Sequence, residues 1–269
     1  MKTAVCAVMK DEAWLVRDWI AYHLAVGFDC CIIYDNASSD GAAEMARAAG
    51  RGADVRVVEW PRSDHHYQVA AIADAAARFA AEFDWIAFID ADEFVFSPTG
   101  EAIPEVLSRY AGQSAVVLNW AMFGSSGHVE RPSGLVIENY LHRAPDHFGP
   151  NAHCKTIARP STVGEVYNSH FMSIAGPVVN VLSEPPGWQN PGVTVQIVLS
   201  PLRVNHYFTR SLVDWDLKIR RGYPDGLRKA DEFAAYDRNE VRDEGMLRHL
   251  PAVSELWAKL WPQDPPPTA

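Results

Sequence analysis

Strand-like and helix-like segments alternate along the first 90 residues, and this alternation restricts the fold more than any other feature of the sequence. The β-rich or wholly apolar runs at residues 3–9, 30–34, 55–60 and 85–89 are typical of strands. Three segments between them are typical of helices, at residues 13–26, 42–49 and 67–81. Strands that alternate with helices form a mostly parallel sheet flanked by helices, because the crossovers are right-handed. The sequence therefore predicts an α/β fold.

The second half of the chain is less regular. Residues 116–120 are typical of another strand, and residues 123–203 combine many Gly, Pro and His residues with short β-like runs. This composition predicts long loops and an antiparallel extension of the sheet. Helical patterns return at residues 211–221 and in the apolar tail after residue 250. No linker divides the 29.8 kDa chain, so we expect a single domain over residues 1–269.

Polar clusters follow the predicted strands at residues 10–12, 35–36, 61–66 and 90–92. Ligands of such sheets bind beyond the carboxyl ends of the strands. Because all four clusters belong to the same edge of the sheet, we expect them to form one site.

Asp90 and Asp92 are the most specific feature of that edge, since they directly follow a hydrophobic strand. Two carboxylates at this spacing can both reach one hard divalent cation, which would keep positions open for phosphate oxygens. An Asp-x-Asp pair is often only a solvated turn. Its position after the strand favours a metal site.

Three further residues have a functional and a structural interpretation. Asp35 could hydrogen-bond a ribose or a base edge, or could cap a helix. His206 could complete a metal shell, or could be structural. Lys155 could neutralise a phosphate, or could be an ordinary surface cation. A basic cluster on the late helix could hold a phosphate or pair with acids; it consists of Lys218, Arg220 and Arg221.

Composition and missing motifs exclude several classes of protein. The net charge of −10 argues against a nucleic-acid partner. No glycine-rich dinucleotide or P-loop motif follows the first strand. The amino-terminal run is interpreted as a strand and not as a signal peptide, and no run of 18 apolar residues is found. The four cysteines lack metal-site spacing, so we expect buried thiols and a cytoplasmic protein.

An ordered set of short motifs covers most of the chain. They are Lys10-Asp11-Glu12, Asp18-Trp19, Tyr22-His23, Gly27, Tyr34-Asp35-Asn36 with Ser38 and Asp40, Gln68, Trp85, Phe88-Ile89-Asp90-Ala91-Asp92-Glu93-Phe94, Trp120, Phe123-Gly124-Ser125-Ser126-Gly127, Lys155, Arg159-Pro160, His170, Asn205-His206-Tyr207, Ser211 and Lys218. With this set the chain resembles the GT-A glycosyltransferases, most closely family 92 (the former DUF23 group) and family-2-like bacterial enzymes. Asp11 stands where the family usually has Asn, and residues 162–196 match weakly.

The resemblance implies a GT-A fold, a nucleotide-sugar donor (most often a UDP-sugar) and Mn²⁺ or Mg²⁺. It divides the domain into a donor-binding half (1–120), an acceptor-side half (121–210) and carboxyl-terminal helices (211–269). The metal ligands it implies are Asp90, Asp92 and His206. The donor-binding residues it implies are Lys10, Asp11, Glu12, Asp35, Asn36, Gln68, Asp90, Ala91 and Lys155.

Inversion at the sugar carbon is expected from the resemblance, with a carboxylate or histidine as the base. The candidates by type are Glu130, Asp146, Glu165, His170 and Glu184, of which we select His170, Glu165 and Asp146. The acceptor is expected to be a glycan or glycolipid hydroxyl at the cytoplasmic side of a membrane. A nucleotidyl- or phosphotransferase, which should carry a glycine-rich phosphate loop, and a non-catalytic nucleotide-sugar-binding protein are the alternatives.

Two tryptophans at helical spacing near the carboxyl terminus, Trp257 and Trp261, could contact a membrane surface. Packing against the core, or a homodimer contact, is the favoured interpretation.

Overall fold

A computed structural model describes residues 1–221 and 232–264. The helices are α1 (Val16–Ala25), α2 (Ala42–Ala49), α3 (Tyr67–Arg78), α4 (Ile103–Leu107), α5 (Val136–Asn139), α6 (Leu212–Arg221), α7 (Glu232–Tyr236) and α8 (Leu250–Leu260). The strands are β1 (Thr3–Met9), β2 (Cys30–Asp35), β3 (Val55–Glu59), β4 (Trp85–Phe88), β5 (Glu93–Phe96), β6 (Ala115–Met122), β7 (His142–Arg143), β8 (Cys154–Ala158), β9 (Val163–Asn168), β10 (Phe171–Ile174), β11 (Val178–Asn180), β12 (Trp188–Asn190), β13 (Val193–Thr194), β14 (Arg203–His206) and β15 (Val241–Arg242).

A nine-stranded, mostly parallel sheet organises the molecule. Eight strands follow the order β3-β2-β1-β4-β8-β6-β14-β5, and the ninth strand, β11, also pairs with β6. The first four strands in this order are parallel, and β1 lies between β2 and β4. Their carboxyl ends therefore lie at the same edge, as the alternation of strands and helices predicts. The predicted α/β fold, mostly parallel and flanked by helices, is confirmed.

The antiparallel extension predicted for the second half is also present. Strand β8 is antiparallel to both of its neighbours, β4 and β6, and β14 is antiparallel to β5. The residues directly after Asp92 form the short strand β5, for which the sequence analysis made no prediction. Only its pairing with β14, more than 100 residues later, makes this four-residue segment a strand.

Alternate side chains of β1 pack on opposite faces of the sheet. Val5 and Ala7 belong to the larger hydrophobic cluster with α1, α2 and α8. Ala4 and Cys6 belong to a second cluster with α3. The period-2 geometry of a strand buried on both faces accounts for this division.

The two carboxyl-terminal tryptophans are buried, as the favoured interpretation predicts. Arg17 of α1 lies over both rings, 5.7 Å from the Trp257 centroid and 5.9 Å from that of Trp261. The indole N–H of Trp261 donates to the Met45 carbonyl at 2.9 Å. Helix α8 therefore packs on α1 and α2 through these rings.

All four cysteines are buried and none forms a disulfide. Among the helices of the described residues, we find none with the length and apolar character that a membrane span needs.

A buried carboxyl group in α1 provides a test of the packing between the two halves of the chain. The Val136 backbone N–H donates to Asp18 at 2.7 Å, and burial raises the pKa of Asp18 from 3.8 to about 7. Between these two values the folded chain binds more protons than the unfolded chain, so this group makes stability fall as pH rises. We expect Asp18→Asn, which keeps the oxygen acceptor, to be more stable than the wild type at pH 8.

Urea denaturation at pH 5 and pH 8 measures this difference, which should shrink at the lower pH. The exposed variant Asp216→Asn is the matched control and should show no such change. Equal pH dependence of wild type and Asp18→Asn would contradict the prediction.

Candidate functional site

A tight turn between β4 and β5 presents the two aspartates of the Asp-x-Asp pair. The Asp90 backbone N–H donates to the Glu93 carboxylate at 2.7 Å, and the Glu93 N–H donates to the Asp90 carbonyl at 3.1 Å. These two hydrogen bonds between Asp90 and Glu93 close the turn. As a result, Asp90 and Asp92 both line one cavity of about 440 Å³.

All four polar clusters predicted at the strand ends contribute to this cavity. Side chains from the second half of the chain close its opposite wall. The lining residues are Val8, Lys10, Glu12, Asn36, Arg62, Ser63, Asp64, His65, Tyr67, Gln68, Asp90, Ala91, Asp92, Trp120, Ser169, His170, His206, Phe208 and Lys218.

Asp90 is held from two sides. Its oxygens accept hydrogen bonds from Gln68 Nε2 at 2.5 Å and from Lys155 Nζ at 2.7 Å. Lys155 is buried on β8 and also lies 3.6 Å from Glu93 Oε2. Burial would lower the pKa of Lys155, but Asp90 and Glu93 together raise it above its ordinary value. Lys155 is therefore a fixed positive charge beneath the cavity floor.

Asp92 faces a second lysine and a histidine. Lys218 Nζ donates to Asp92 Oδ2 at 2.5 Å and to the Phe208 carbonyl at 2.7 Å, and His206 Nε2 lies 3.4 Å from Asp92 Oδ1. Burial alone would raise the pKa of Asp92, but Lys218 and His206 outweigh it and hold this pKa well below its ordinary value. Asp92 is thus a carboxylate at neutral pH.

His206 is buried and neutral. Burial lowers its pKa more than Asp92 raises it. Its Nδ1 points to Glu93 Oε1 at 3.8 Å, and neither atom has a hydrogen-bond partner within the described residues. Burial also raises the pKa of Glu93 well above normal, more than Lys155 lowers it. A carboxyl group behind the far nitrogen of an imidazole is typical of histidines that bind a metal through the other nitrogen.

Asp92 and His206 supply part of the ligand set that a divalent cation needs. Within residues 1–221 and 232–264, no three His, Cys, Asp or Glu side chains are grouped so that they could hold a metal ion. The Asp92–His206 pair supplies two donors, an oxygen and a neutral nitrogen, 3.4 Å apart. Neighbouring ligands of an octahedral cation lie about 3 Å apart. The pair therefore fits a cation whose remaining ligands come from outside the chain.

Aromatic and imidazole rings form the wall opposite the sheet edge. The Trp120 ring stacks on His153 at 5.0 Å, and it contacts His170 at 5.0 Å and His206 at 4.4 Å. Nδ1 of His170 lies 3.1 Å from the Cys154 carbonyl oxygen. Because a carbonyl only accepts, Nδ1 carries the proton and Nε2 is the acceptor nitrogen. Burial and then Lys155 lower the pKa of His170 to about 3, so the ring is neutral.

The predicted donor-binding residues divide into two groups. The cavity wall contains Lys10, Glu12, Asn36, Gln68, Asp90 and Ala91, while Lys155 contacts Asp90. Asp35 and Asp11 do not line this cavity. Asp35 accepts a hydrogen bond from the Ser38 N–H at 3.3 Å, and Asp11 lines a neighbouring cavity. Asp11 has φ of 51°, a left-handed conformation in which Asn and Asp are enriched.

Of the candidate bases, His170 lines the cavity and the carboxylates do not. Asp146 is 71% exposed and pairs with Arg143 at 2.6 Å. The other three are exposed at the surface, namely Glu130, Glu165 and Glu184. In the basic cluster, Lys218 turns into the cavity and Arg220 is exposed, whereas the side chain of Arg221 lies outside the described residues.

Sequence analysis did not assign a role to two buried ionisable residues beside the site, Arg210 and Glu93. Arg210 Nη1 lies 3.3 Å from Glu12 Oε2 and holds that carboxylate at the cavity rim. Glu93 contacts both Lys155 and His206, as described above. No local signal identifies Arg210, because its partner is 198 residues away. The adjacency of Glu93 to the Asp-x-Asp pair is a signal that could have been used.

The comparisons of the sequence with known proteins all point to one protein family. The family model "Glycosyltransferase family 92" matches residues 2–184. A family 92 protein of Oryza sativa subsp. japonica is 32% identical over 176 residues, covering 62% of this chain and 29% of the rice protein. One from Arabidopsis thaliana is 30% identical over 184 residues, covering 62% and 31%. One from Ricinus communis is 29% identical over 177 residues, covering 63% and 30%. The matched region is thus less than a third of each relative.

Removing the buried lysine tests the charge balance of the site. Lys155→Met keeps most of the side-chain volume but leaves Asp90 without its cation. Breaking a buried pair in this way costs about 3 kcal/mol of unfolding free energy. Lys259→Met, on the exposed side of α8, should change stability by less than about 0.5 kcal/mol. Chemical denaturation measures both, and equal stabilities would contradict the assigned role of Lys155.

Proposed function

Because the chain belongs to glycosyltransferase family 92, we propose that it transfers a sugar from a nucleotide-sugar donor to a hydroxyl group of a glycan or glycolipid. The observation that carries the proposal is the convergence of four strand-end clusters on one cavity that contains Asp90 and Asp92. A cavity of about 440 Å³ is within the range of small-molecule sites. Its position beyond the carboxyl ends of parallel strands is where such sheets bind nucleotides.

The proposed donor is a UDP-sugar, with its nucleoside over β1 and β2 and its diphosphate toward Asp92. Lys10 and Asn36 supply hydrogen-bonding groups at the nucleoside end of the cavity. Two lysines, Lys155 and Lys218, lie against the two aspartates. They offset the negative charge of the cavity floor, which would otherwise repel a diphosphate.

Asp92 and His206 are the residues proposed to hold Mn²⁺ or Mg²⁺. When bound, such a cation offsets the charge that develops on a diphosphate leaving group. Asp92 remains ionised and His206 neutral, which are the protonation states that ligation needs. Glu93 Oε1 lies 3.8 Å from Nδ1 of His206, behind the imidazole as seen from Asp92.

The proposed reaction inverts the sugar carbon: the acceptor oxygen attacks C1 from one side while the nucleoside diphosphate leaves from the other. Nε2 of His170 is the acceptor nitrogen of a ring on the cavity wall, so it can accept the hydrogen bond of the attacking hydroxyl. A pKa of about 3 makes the ring a weak base in the free protein. A diphosphate nearby would raise this pKa, because negative charge favours the imidazolium form. Proton transfer to His170 would then accompany attack.

Calorimetric titration of UDP tests the donor site. We expect the wild type to bind UDP in the presence of Mn²⁺ and to bind it at least about tenfold more weakly without the metal. Asp92→Ala should lose the metal-dependent part of the affinity, because it removes one of the two proposed ligands. Asp146→Ala, which removes an exposed carboxylate, is the matched control and should bind as the wild type does.

UDP affinity that is independent of Mn²⁺ and of Asp92 would refute the metal-assisted site. Absence of UDP binding under every condition would redirect the proposal to GDP or dTDP as the nucleotide. Release of UDP from a bound UDP-sugar separates a transferase from a non-catalytic binding protein.

A further inference from the structure

Three aromatic side chains form a cluster at the surface beside the cavity, on two small sheets outside the large one. Tyr167 and Phe171 lie on the β9–β10 hairpin, and Trp188 lies on the β12–β13 hairpin. The Phe171 ring contacts both others, with centroids 5.8 Å from Tyr167 and 5.2 Å from Trp188. Tyr167 is 53% exposed and Trp188 is 37% exposed. We call these three residues the aromatic surface.

Grouped exposed aromatic rings mark a binding site more often than single exposed apolar residues do. Each ring keeps apolar area in water, which is unfavourable in the free protein and is recovered when a ligand covers it. Elsewhere in the described chain, tryptophans such as Trp19, Trp85 and Trp215 are almost fully buried. The exposure of Trp188 is therefore unusual for this molecule.

The aromatic surface is continuous with the cavity. Ser169 and His170, which join β9 to β10, line the cavity, and Phe171 is the next residue. The β12–β13 hairpin is anchored at the same place, because the Cys154 N–H donates to the Gly192 carbonyl at 3.0 Å. A Cβ atom at Gly192 would lie 2.4 Å from Cβ of His170. The two hairpins and the proposed proton acceptor thus form one wall.

Sugar rings match this surface chemically. A pyranose has an apolar face of C–H groups, which packs on aromatic faces, and a rim of hydroxyls that need hydrogen-bond partners. The exposed residues Gln189 and Asn190, which carry side-chain amides, follow Trp188 on β12. Glu165, two residues before Tyr167 on β9, raises the pKa of Tyr167, so a polar group lies near its ring as well.

Charge argues for a neutral ligand. Residues 160–202 contain two glutamates and no lysine or arginine. Anionic membranes and anionic polysaccharides are bound by clustered cations, which this segment lacks. A stable protein interface buries roughly 800 Å² on each partner, more than three partly exposed rings supply. These observations favour an uncharged glycan over a membrane or a second protein.

We propose that the aromatic surface binds a sugar ring of the acceptor, so that the acceptor is a neutral oligosaccharide or polysaccharide that extends from the cavity across Phe171 to Tyr167 and Trp188. This inference rests on the proposed function, since it names the acceptor class of the same site. In this arrangement one sugar unit presents its hydroxyl beside His170, and a neighbouring unit covers the aromatic surface.

Affinity electrophoresis and calorimetry with neutral hexasaccharides test the inference. The probes are cellohexaose, mannohexaose and laminarihexaose, and the variants are Trp188→Ala and Tyr167→Ala. Val129→Ala is the matched control, because Val129 is 60% exposed and lies outside both small sheets. We expect each aromatic variant to bind at least one hexasaccharide about tenfold more weakly than the wild type does. UDP affinity should be unchanged in all three variants.

Equal hexasaccharide affinity in wild type and aromatic variants would overturn the inference, and so would absence of binding of every probe to the wild type. Sedimentation of the wild type as a dimer that Trp188→Ala dissociates would assign the surface to self-association instead. Binding to phosphatidylserine vesicles that depends on Trp188 would assign it to a membrane. Hexasaccharide binding that depends on Trp188, in a protein that binds no nucleotide, would support the glycan surface and refute sugar transfer.

Discussion

The pairing of Asp90 and Asp92 with two lysines is the interaction on which the rest of the site depends. Asp90, Asp92 and Glu93 lie within four residues of one another at the end of a central strand, and Glu93 is fully buried. Burial raises the pKa of Glu93 well above normal, so this group avoids carrying a buried charge, but the ionised Asp92 would be strongly unfavourable there without a cation. Lys155 pairs with Asp90, and Lys218 pairs with Asp92. Gln68 and His206 contact the same two aspartates, so both pairs lie at the centre of the cavity floor.

The two lysines also connect the second half of the chain to the first. Lys155 reaches Asp90 because β8 is inserted as an antiparallel strand between β4 and β6. Lys218 reaches Asp92 from α6, 126 residues along the chain. The parallel strands alone would leave their polar ends facing water. The antiparallel extension and the late helix close these ends into a cavity.

The walls of the cavity differ in chemistry. Polar and charged groups line the sheet edge, whereas Trp120, His170 and His206 form the opposite wall. That wall continues outward to the aromatic surface through the β9–β10 hairpin. In the proposed function, the charged side binds the nucleotide and the diphosphate. The aromatic side receives sugars, whose C–H faces pack on rings and whose hydroxyls need only neutral partners.

The sequence by itself determined the strand and helix order of the first half, the shared edge of the parallel strands, and the candidate pair Asp90 and Asp92. These are local properties, since hydrophobic periodicity and turn residues are read within a few positions. Only the tertiary structure decided which polar residues share the cavity, because that depends on pairings across large sequence separations. Among the candidate bases, it placed His170 in the cavity wall and left Asp146 and Glu165 exposed outside the cavity. It also placed Lys218 beside Asp92 and Arg210 beside Glu12. Burying these charges is unfavourable unless a charge of opposite sign lies nearby, and no local sequence pattern identifies such distant partners.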